Sequence, residues 1–325
     1  ITGICYYFFD NFLISVLIGT ILSGTSSAVV IPLVTNANIK NKYGLVLTLE
    51  SAISDVLSIL GTLIVLEIIQ TGSAVASTIF RDILNSFSLA LLVGTIFGIG
   101  WILLFRKYDY LNYFYMLTIA FLLGVYVFVE GPFISASGPI AVFAFGLVLG
   151  NSKSIFAVID GESDEDDSKK KHKTNEESDE HILKNALTSN AKNFYYEVSF
   201  FVKTFFFVYI GMLIDLTNIE IVKFGAILVL GMFLIRPICV YFVFKNKTID
   251  IKEKTFLEIL IPKGLAAAVL SGIVVQSGIL GDSSNDFISM ILIVVLLSII
   301  VSSVLVFLTD KGFFKGIYRI FSRDK

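Results

Sequence analysis

Histidine and cysteine are nearly absent: the 325 residues hold two of each. Cys5 and Cys239 sit in separate apolar segments, and His172 and His181 sit in a polar linker. Neither pair suggests a disulfide framework, a metal centre or the nucleophile and base of an acyl-transfer enzyme. No GxxxxGK[ST] stretch occurs, and no soluble domain is available to hold a nucleotide. No cofactor, no enzymatic activity and no nucleic-acid partner are expected. The opening residues, ITGICYYFFDN, show no Met, no basic n-region and no small-residue cleavage site, so they do not read as a signal peptide. They read as the end of a span whose beginning is absent, with N-terminal spans missing.

What the chain holds instead is apolar surface. Hydrophobic residues make up 55%, with 30 Phe and 13 Tyr, and the mean hydropathy is +0.83. Apolar runs of about 20 residues, enough to cross the hydrocarbon core, recur throughout. The fold class is therefore an all-α polytopic membrane protein of about ten spans. A partial span is expected at 1–9, then spans near 11–35, 43–69, 82–105, 110–129, 133–150, 196–216, 220–245, 255–280 and 285–309. The stretch 151–195 is dense in both signs of charge and cannot bury enough apolar surface to fold alone, so it reads as a flexible surface loop. Basic residues favour the cytoplasmic ends of spans. Alternating the loops puts Lys40, Lys42, Arg106, Lys107, the charged loop, Lys245, Lys247, Lys252, Lys254 and the tail 311–325 on one side. Only Arg81 and Lys223 fall on the other. A cell-membrane location with a cytoplasmic loop and C-terminus follows.

Two spans carry breaks. Gly24, Thr25, Ser26 and Ser27 sit at the centre of span 11–35, and Pro262, Lys263 and Gly264 interrupt span 255–280. Singly, small and polar residues serve close packing or bond back to their own helix. As a pair in corresponding places they suggest the crossed half-helices at which transporters bind ions. Unwound backbone at that depth must be buried in protein or line a watery cavity.

The span after the first break holds Glu50 and Asp55, and an ionised carboxylate in a membrane core costs roughly 2.5 kcal/mol or more. On a helix Glu50, Ser51, Ser54, Asp55 and Ser58 fall within an arc of roughly 140°, a single polar stripe. Asp55 and Ser51 are one turn apart and can face one ion. With Ser54, Thr25, Ser26 and freed backbone carbonyls of the break, they offer the oxygen ligands that a hard cation such as Na+ prefers. The same carboxylate can take a proton instead, and that competition suffices for exchange. Glu50 and Arg236 are expected to offset one another as a structural ion pair. Lys263 could pair with Asp55, or neutralise the C-terminal end of a half-helix dipole. Lys203 could snorkel to an interface, and Glu67, Glu130 and Asp215 lie near span ends where solvation is expected.

The ordered motifs SGTSSAVVIPLV, LESAISDVLSI, FFVKTFFFVYIGMLIDL, IRPICVYF and PKGLAAAVLSG resemble the monovalent cation:proton antiporter family, in particular its archaeal sodium/proton exchangers. The likeness runs from about residue 10 to 310, excluding the charged loop. It implies an inverted-repeat fold with two crossed broken helices, further spans ahead of these ten, and a homodimer in the lipid bilayer. It also implies a mobile core of 1–69 and 219–310 and a fixed dimerisation scaffold of 70–218. Residue by residue, the family's ion carrier matches Asp55, its earlier acid and serine match Glu50 and Ser51, and its basic partner matches Arg236. Two departures stand out. Ser54 occupies the place of an Asn before the carrier, and Thr25-Ser26-Ser27 stands where many members have Thr-Asp-Pro. The absence of a second adjacent Asp resembles electroneutral exchangers. The function implied is exchange of Na+, or Li+ or K+, for H+ by alternating access. Readings from other classes are a sodium-coupled symporter of an organic anion, which would need cavity groups beyond Arg236 and Lys263, and a channel or sensor on the same fold.

Overall fold

The computed structural model describes residues 1–36, 39, 41–72, 76–107, 114–152, 155, 189–245 and 249–311. Most of the charged stretch 151–195 and nearly all of the tail lie outside the described residues, as do His172 and His181. Twelve α-helices and one short 3-10 turn make up the described structure. In order they are α1 (Thr2–Phe9), α2 (Phe12–Ile21), α3 (Ser27–Asn36), α4 (Asn41–Thr71), α5 (Ala76–Lys107), α6 (Phe114–Glu130) and α7 (Gly138–Gly150). They continue with α8 (Ser189–Leu213), α9 (Ile219–Phe244), α10 (Ile251–Ile259), α11 (Leu265–Gln276) and α12 (Ser284–Asp310). Taking α2 with α3 and α10 with α11 as broken spans recovers the ten spans read from hydropathy. Among the described residues, five helices are long and apolar enough to cross a membrane.

Residues divide into two compact units, Ile1–Ile79 with Lys203–Lys325, and Phe80–Val202. The first holds the expected core, 1–69 and 219–310, together with residues 70–79 and 203–218 of the expected scaffold. In the second, Trp101 of α5 stacks on Phe121 of α6 at 4.2 Å and donates from Nε1 to Thr118 Oγ1 at 2.9 Å. Glu130, at the end of α6, is not merely solvated. Its Oε2 accepts from the Gly138 amide at 3.1 Å, meeting a donor at the N-terminus of α7 that the helix itself leaves orphaned.

The first unit is built around two apolar clusters. One joins Leu17, Ile18 and Ile21 of α2, Leu228 and Met232 of α9, Leu270 and Val274 of α11, and Ile291, Val294 and Val295 of α12. The other joins Val30 of α3, Leu47 of α4, Val240 of α9, and Phe256, Leu257 and Leu260 at the end of α10. Each cluster thus takes one half-helix from each break: α2 with α11, and α3 with α10. That exchange of partners is the crossing. Lipid is as apolar as these side chains, so packing contacts rather than water exclusion hold them together. Close approach needs small residues: a Cβ added at Gly225 of α9 would lie 2.8 Å from Ile293 Cγ2 of α12.

Gly225→Val should force α9 from α12 and cost about 1–3 kcal/mol by overpacking. Thermal unfolding in detergent should show a clear fall in Tm, whereas Gly100→Val, where an added Cβ meets nothing within 4 Å, should leave Tm near that of the wild type.

Candidate ion site at the helix crossover

Ten residues carry the crossover. In the first break the chain leaves α2 at Ile21 and re-enters helix at Ser27; in the second it leaves α10 at Ile259 and re-enters at Leu265. The two are joined directly, because the Ser26 amide donates to the Pro262 carbonyl at 2.7 Å. Gly264 makes this approach possible: a Cβ there would overlap Ser26 Oγ. Thr25, Ser26 and Lys263 are all buried.

Freed carbonyls at the end of α2 have a negative dipole character and no helical donor. Lys263 supplies a charge for them. Its Nζ donates to the carbonyl of Gly24 at 3.0 Å and to that of Ser23 at 3.4 Å. Ser58, fully buried on α4, donates from Oγ to the carbonyls of Thr20 at 2.7 Å and Ile21 at 3.1 Å. The Ser26 carbonyl accepts from Val29 and Val30 in the first turn of α3. Of the five carbonyls in the first break, those of Ser23, Gly24 and Ser26 therefore meet protein donors.

Asp55 is wedged beside the break. A Cβ on Gly24 would stand 2.9 Å from Asp55 Oδ1 and 3.3 Å from Ser58 Cβ, so only glycine leaves the carboxylate room. Its Oδ2 accepts from Ser27 Oγ at 3.5 Å. Ser27 is the first residue of α3, and a carboxylate at a helix N-terminus meets the positive end of the dipole. Beside it, Ser54 Oγ accepts from the Thr25 amide at 3.0 Å, lies 3.0 Å from Thr25 Oγ1, and donates to the Ser51 carbonyl at 3.1 Å. Ser54 thus ties α4 to the break in the place where the family resemblance calls for Asn. Ser51 is fully buried and turned to its own helix, donating to the Thr48 carbonyl at 2.9 Å. Ser27, read from sequence only as part of the break, is the hydroxyl that reaches Asp55. Nothing in a linear pattern distinguishes it from Ser26.

Glu50 faces elsewhere. Arg236 of α9 forms a two-pronged ion pair with it, Nη1 to Oε1 and Nη2 to Oε2, the latter at 2.7 Å. The third guanidinium nitrogen, Nε, donates to the Leu257 carbonyl at 2.9 Å. One arginine so links α4, α9 and the last turn of α10. Two further acids, Glu253 and Glu258 of α10, are buried, and Glu258 stands 3.9 Å from Lys254. No linear pattern marks them: Glu253 lies among lysines just ahead of the span expected at 255–280, and Glu258 lies near its start.

Arg236→Gln should cost on the order of 3 kcal/mol, because it strands Glu50 and leaves the Leu257 carbonyl unmet. Glu50→Gln/Arg236→Gln together should cost less than the sum of the single changes. A double-mutant cycle on thermal unfolding in detergent checks this, and strict additivity would show that the pair is not coupled.

Residues 1–309 match the family model of the transmembrane domain of sodium/hydrogen exchangers. A curated relative, the probable Na(+)/H(+) antiporter 2 of Methanocaldococcus jannaschii, is 29% identical over 289 residues. That alignment takes in 84% of this chain and 61% of the relative, so the chain spans about three-fifths of the relative's length. Among solved structures, the sodium proton antiporter MjNhaP1 of the same organism at pH 8 superposes with a TM-score of 0.65 at 20% identity, over 92% of this chain and 71% of that one. The architecture is that antiporter fold, and by the match over nearly its whole length the chain belongs to the sodium/hydrogen exchanger family.

Proposed function

We propose that the protein exchanges Na+, or Li+ or K+ in its place, for H+ by alternating access, with Asp55 as the group that carries either ion or proton. The observation that carries this reading is the seat of Asp55. Its carboxylate lies against Gly24 and Ser27, beside the hydroxyls of Thr25 and Ser54, where the neighbouring Ser23 and Gly24 carbonyls are already taken by Lys263. Na+ would be held by Asp55 with Ser27, Thr25 and Ser54 oxygens, and Ser51 and Ser26 would shape the cage. A proton on the carboxylate removes the charge that attracts the cation, so one site cannot hold both. If only one face opens at a time, the two flows are coupled. With a single carboxylate at the site, exchange of one Na+ for one H+ is electroneutral.

The alternatives fare worse. An organic-anion symporter needs cations free to meet its substrate, yet Arg236 is engaged by Glu50 and the Leu257 carbonyl, and Lys263 by the Gly24 and Ser23 carbonyls. A channel needs a continuous polar path, and apolar clusters lie on both sides of the crossover. The same proposal takes 1–69 and 219–310 as the moving core and 70–218 as the scaffold of a homodimer in the bilayer. Exposed Tyr196, Phe200, Phe201 and Phe205 on α8 give that helix an apolar face for lipid or a second copy. The distribution of basic residues supports a cytoplasmic charged loop and tail 311–325.

The test is flux in liposomes that enclose a pH-sensitive dye, with Na+, Li+ and K+ gradients imposed in turn on the complete protein. Added external Na+ should make the interior more alkaline in the wild type, and Asp55→Asn should fall to the background of empty liposomes. Normal exchange by the variant would make Asp55 structural and the proposed site wrong.

A further inference from the structure

We infer that Ser298 and Ser302, one turn apart on α12, are positioning residues for the ion site, acting through the backbone of the second break; this rests on the exchange reading above. Both are fully buried. A serine inside a membrane helix ordinarily bonds back to its own helix, as Ser271 does to the Ala268 carbonyl at 2.7 Å. Ser302 leaves that habit and donates from Oγ to the Ile259 carbonyl at 3.0 Å. Ser298 donates to the Val295 carbonyl at 2.9 Å and uses its lone pair to accept from the Lys263 amide, also at 2.9 Å.

These two contacts bracket the unwound stretch. Ile259 is the last residue of α10, and Lys263 is two residues before α11. Around them stand Leu260, Val294 and Val295, all fully or almost fully buried, so no water replaces a lost hydroxyl. An amide orphaned there keeps its full desolvation penalty. From the backbone that Ser298 holds, the Lys263 side chain runs to the carbonyls of Gly24 and Ser23, and Gly24 touches Asp55. From the same stretch, the Pro262 carbonyl holds the Ser26 amide. The hydroxyls of α12 therefore reach Asp55 through Lys263 without touching the ion. Ser58 does the matching work at the first break, on the carbonyls of Thr20 and Ile21. It lies on α4, the span that follows the first broken one, as α12 follows the second; the two halves use one device in corresponding places.

Ser298→Ala, Ser302→Ala and the control Ser271→Ala should be compared in liposome flux and in hydrogen exchange of the backbone. In Ser298→Ala the Lys263 amide should exchange about tenfold faster and the apparent KM for Na+ should rise about tenfold, with the maximal rate changed less. Ser302→Ala should shift the KM in the same direction, and Ser271→Ala should match the wild type in both readouts. An unchanged Lys263 amide, or an unchanged KM in the folded protein, overturns the inference. Should Ser298→Ala fail to fold, Ser302→Ala decides by the same KM criterion. A wild type without Na+-driven proton flux contradicts the exchange reading instead, and the Lys263 amide then decides the backbone contact by itself.

Discussion

An interrupted helix in the middle of a bilayer leaves backbone donors and acceptors where no water can reach them, and each must be answered by protein. In this chain the two interruptions answer one another. The Pro262 carbonyl takes the Ser26 amide, and the Lys263 ammonium takes the carbonyls at the end of α2. Serines of the neighbouring spans meet five more backbone groups, the Thr25 and Lys263 amides and the Thr20, Ile21 and Ile259 carbonyls. Gly264 and Gly24 are small because the Ser26 side chain and the carboxylate of Asp55 have to fit where a Cβ would stand. The apolar clusters on either side then follow from the crossing, since each half-helix packs against a half of the other broken span.

Once the backbone is satisfied, the charges sort by what is left to them. Arg236 is consumed by Glu50 and a carbonyl of α10, which fixes three elements and neutralises an acid. Lys263 is consumed by helix-end carbonyls and cancels their dipole. Among the described residues Asp55 accepts a long contact from the Ser27 hydroxyl at the positive end of α3 and forms no ion pair. A group in that position is suited to exchanging one cation for another, because neither Na+ nor H+ has to displace a permanent ion-pair partner.

Much of this was legible in residue order. Span count follows from apolar runs, and both breaks announce themselves through Gly, Pro and hydroxyl clusters at mid-span. The 100° step per residue puts Glu50, Ser54 and Asp55 on one stripe. Periodicity names a face, however, and not its partner. It could not choose between Ser51, which the fold turns toward the Thr48 carbonyl, and Ser27, which reaches Asp55 from another helix. Nor could it mark Ser298 and Ser302, which look like ordinary packing serines until Lys263 is brought beside them. Glu130 read as solvated because its acceptor role depends on a turn that returns Gly138 to the end of α6.

The central claim is that Na+ and H+ compete for one carboxylate. It is tested most directly by calorimetric titration of the purified protein with NaCl in buffers of different ionisation enthalpy, at a pH where the site is protonated. The account predicts that each Na+ bound releases about one proton, as ligands that must be deprotonated require, and that Asp55→Asn abolishes both binding and release. Na+ binding with no proton release, or undiminished release in Asp55→Asn, would contradict it.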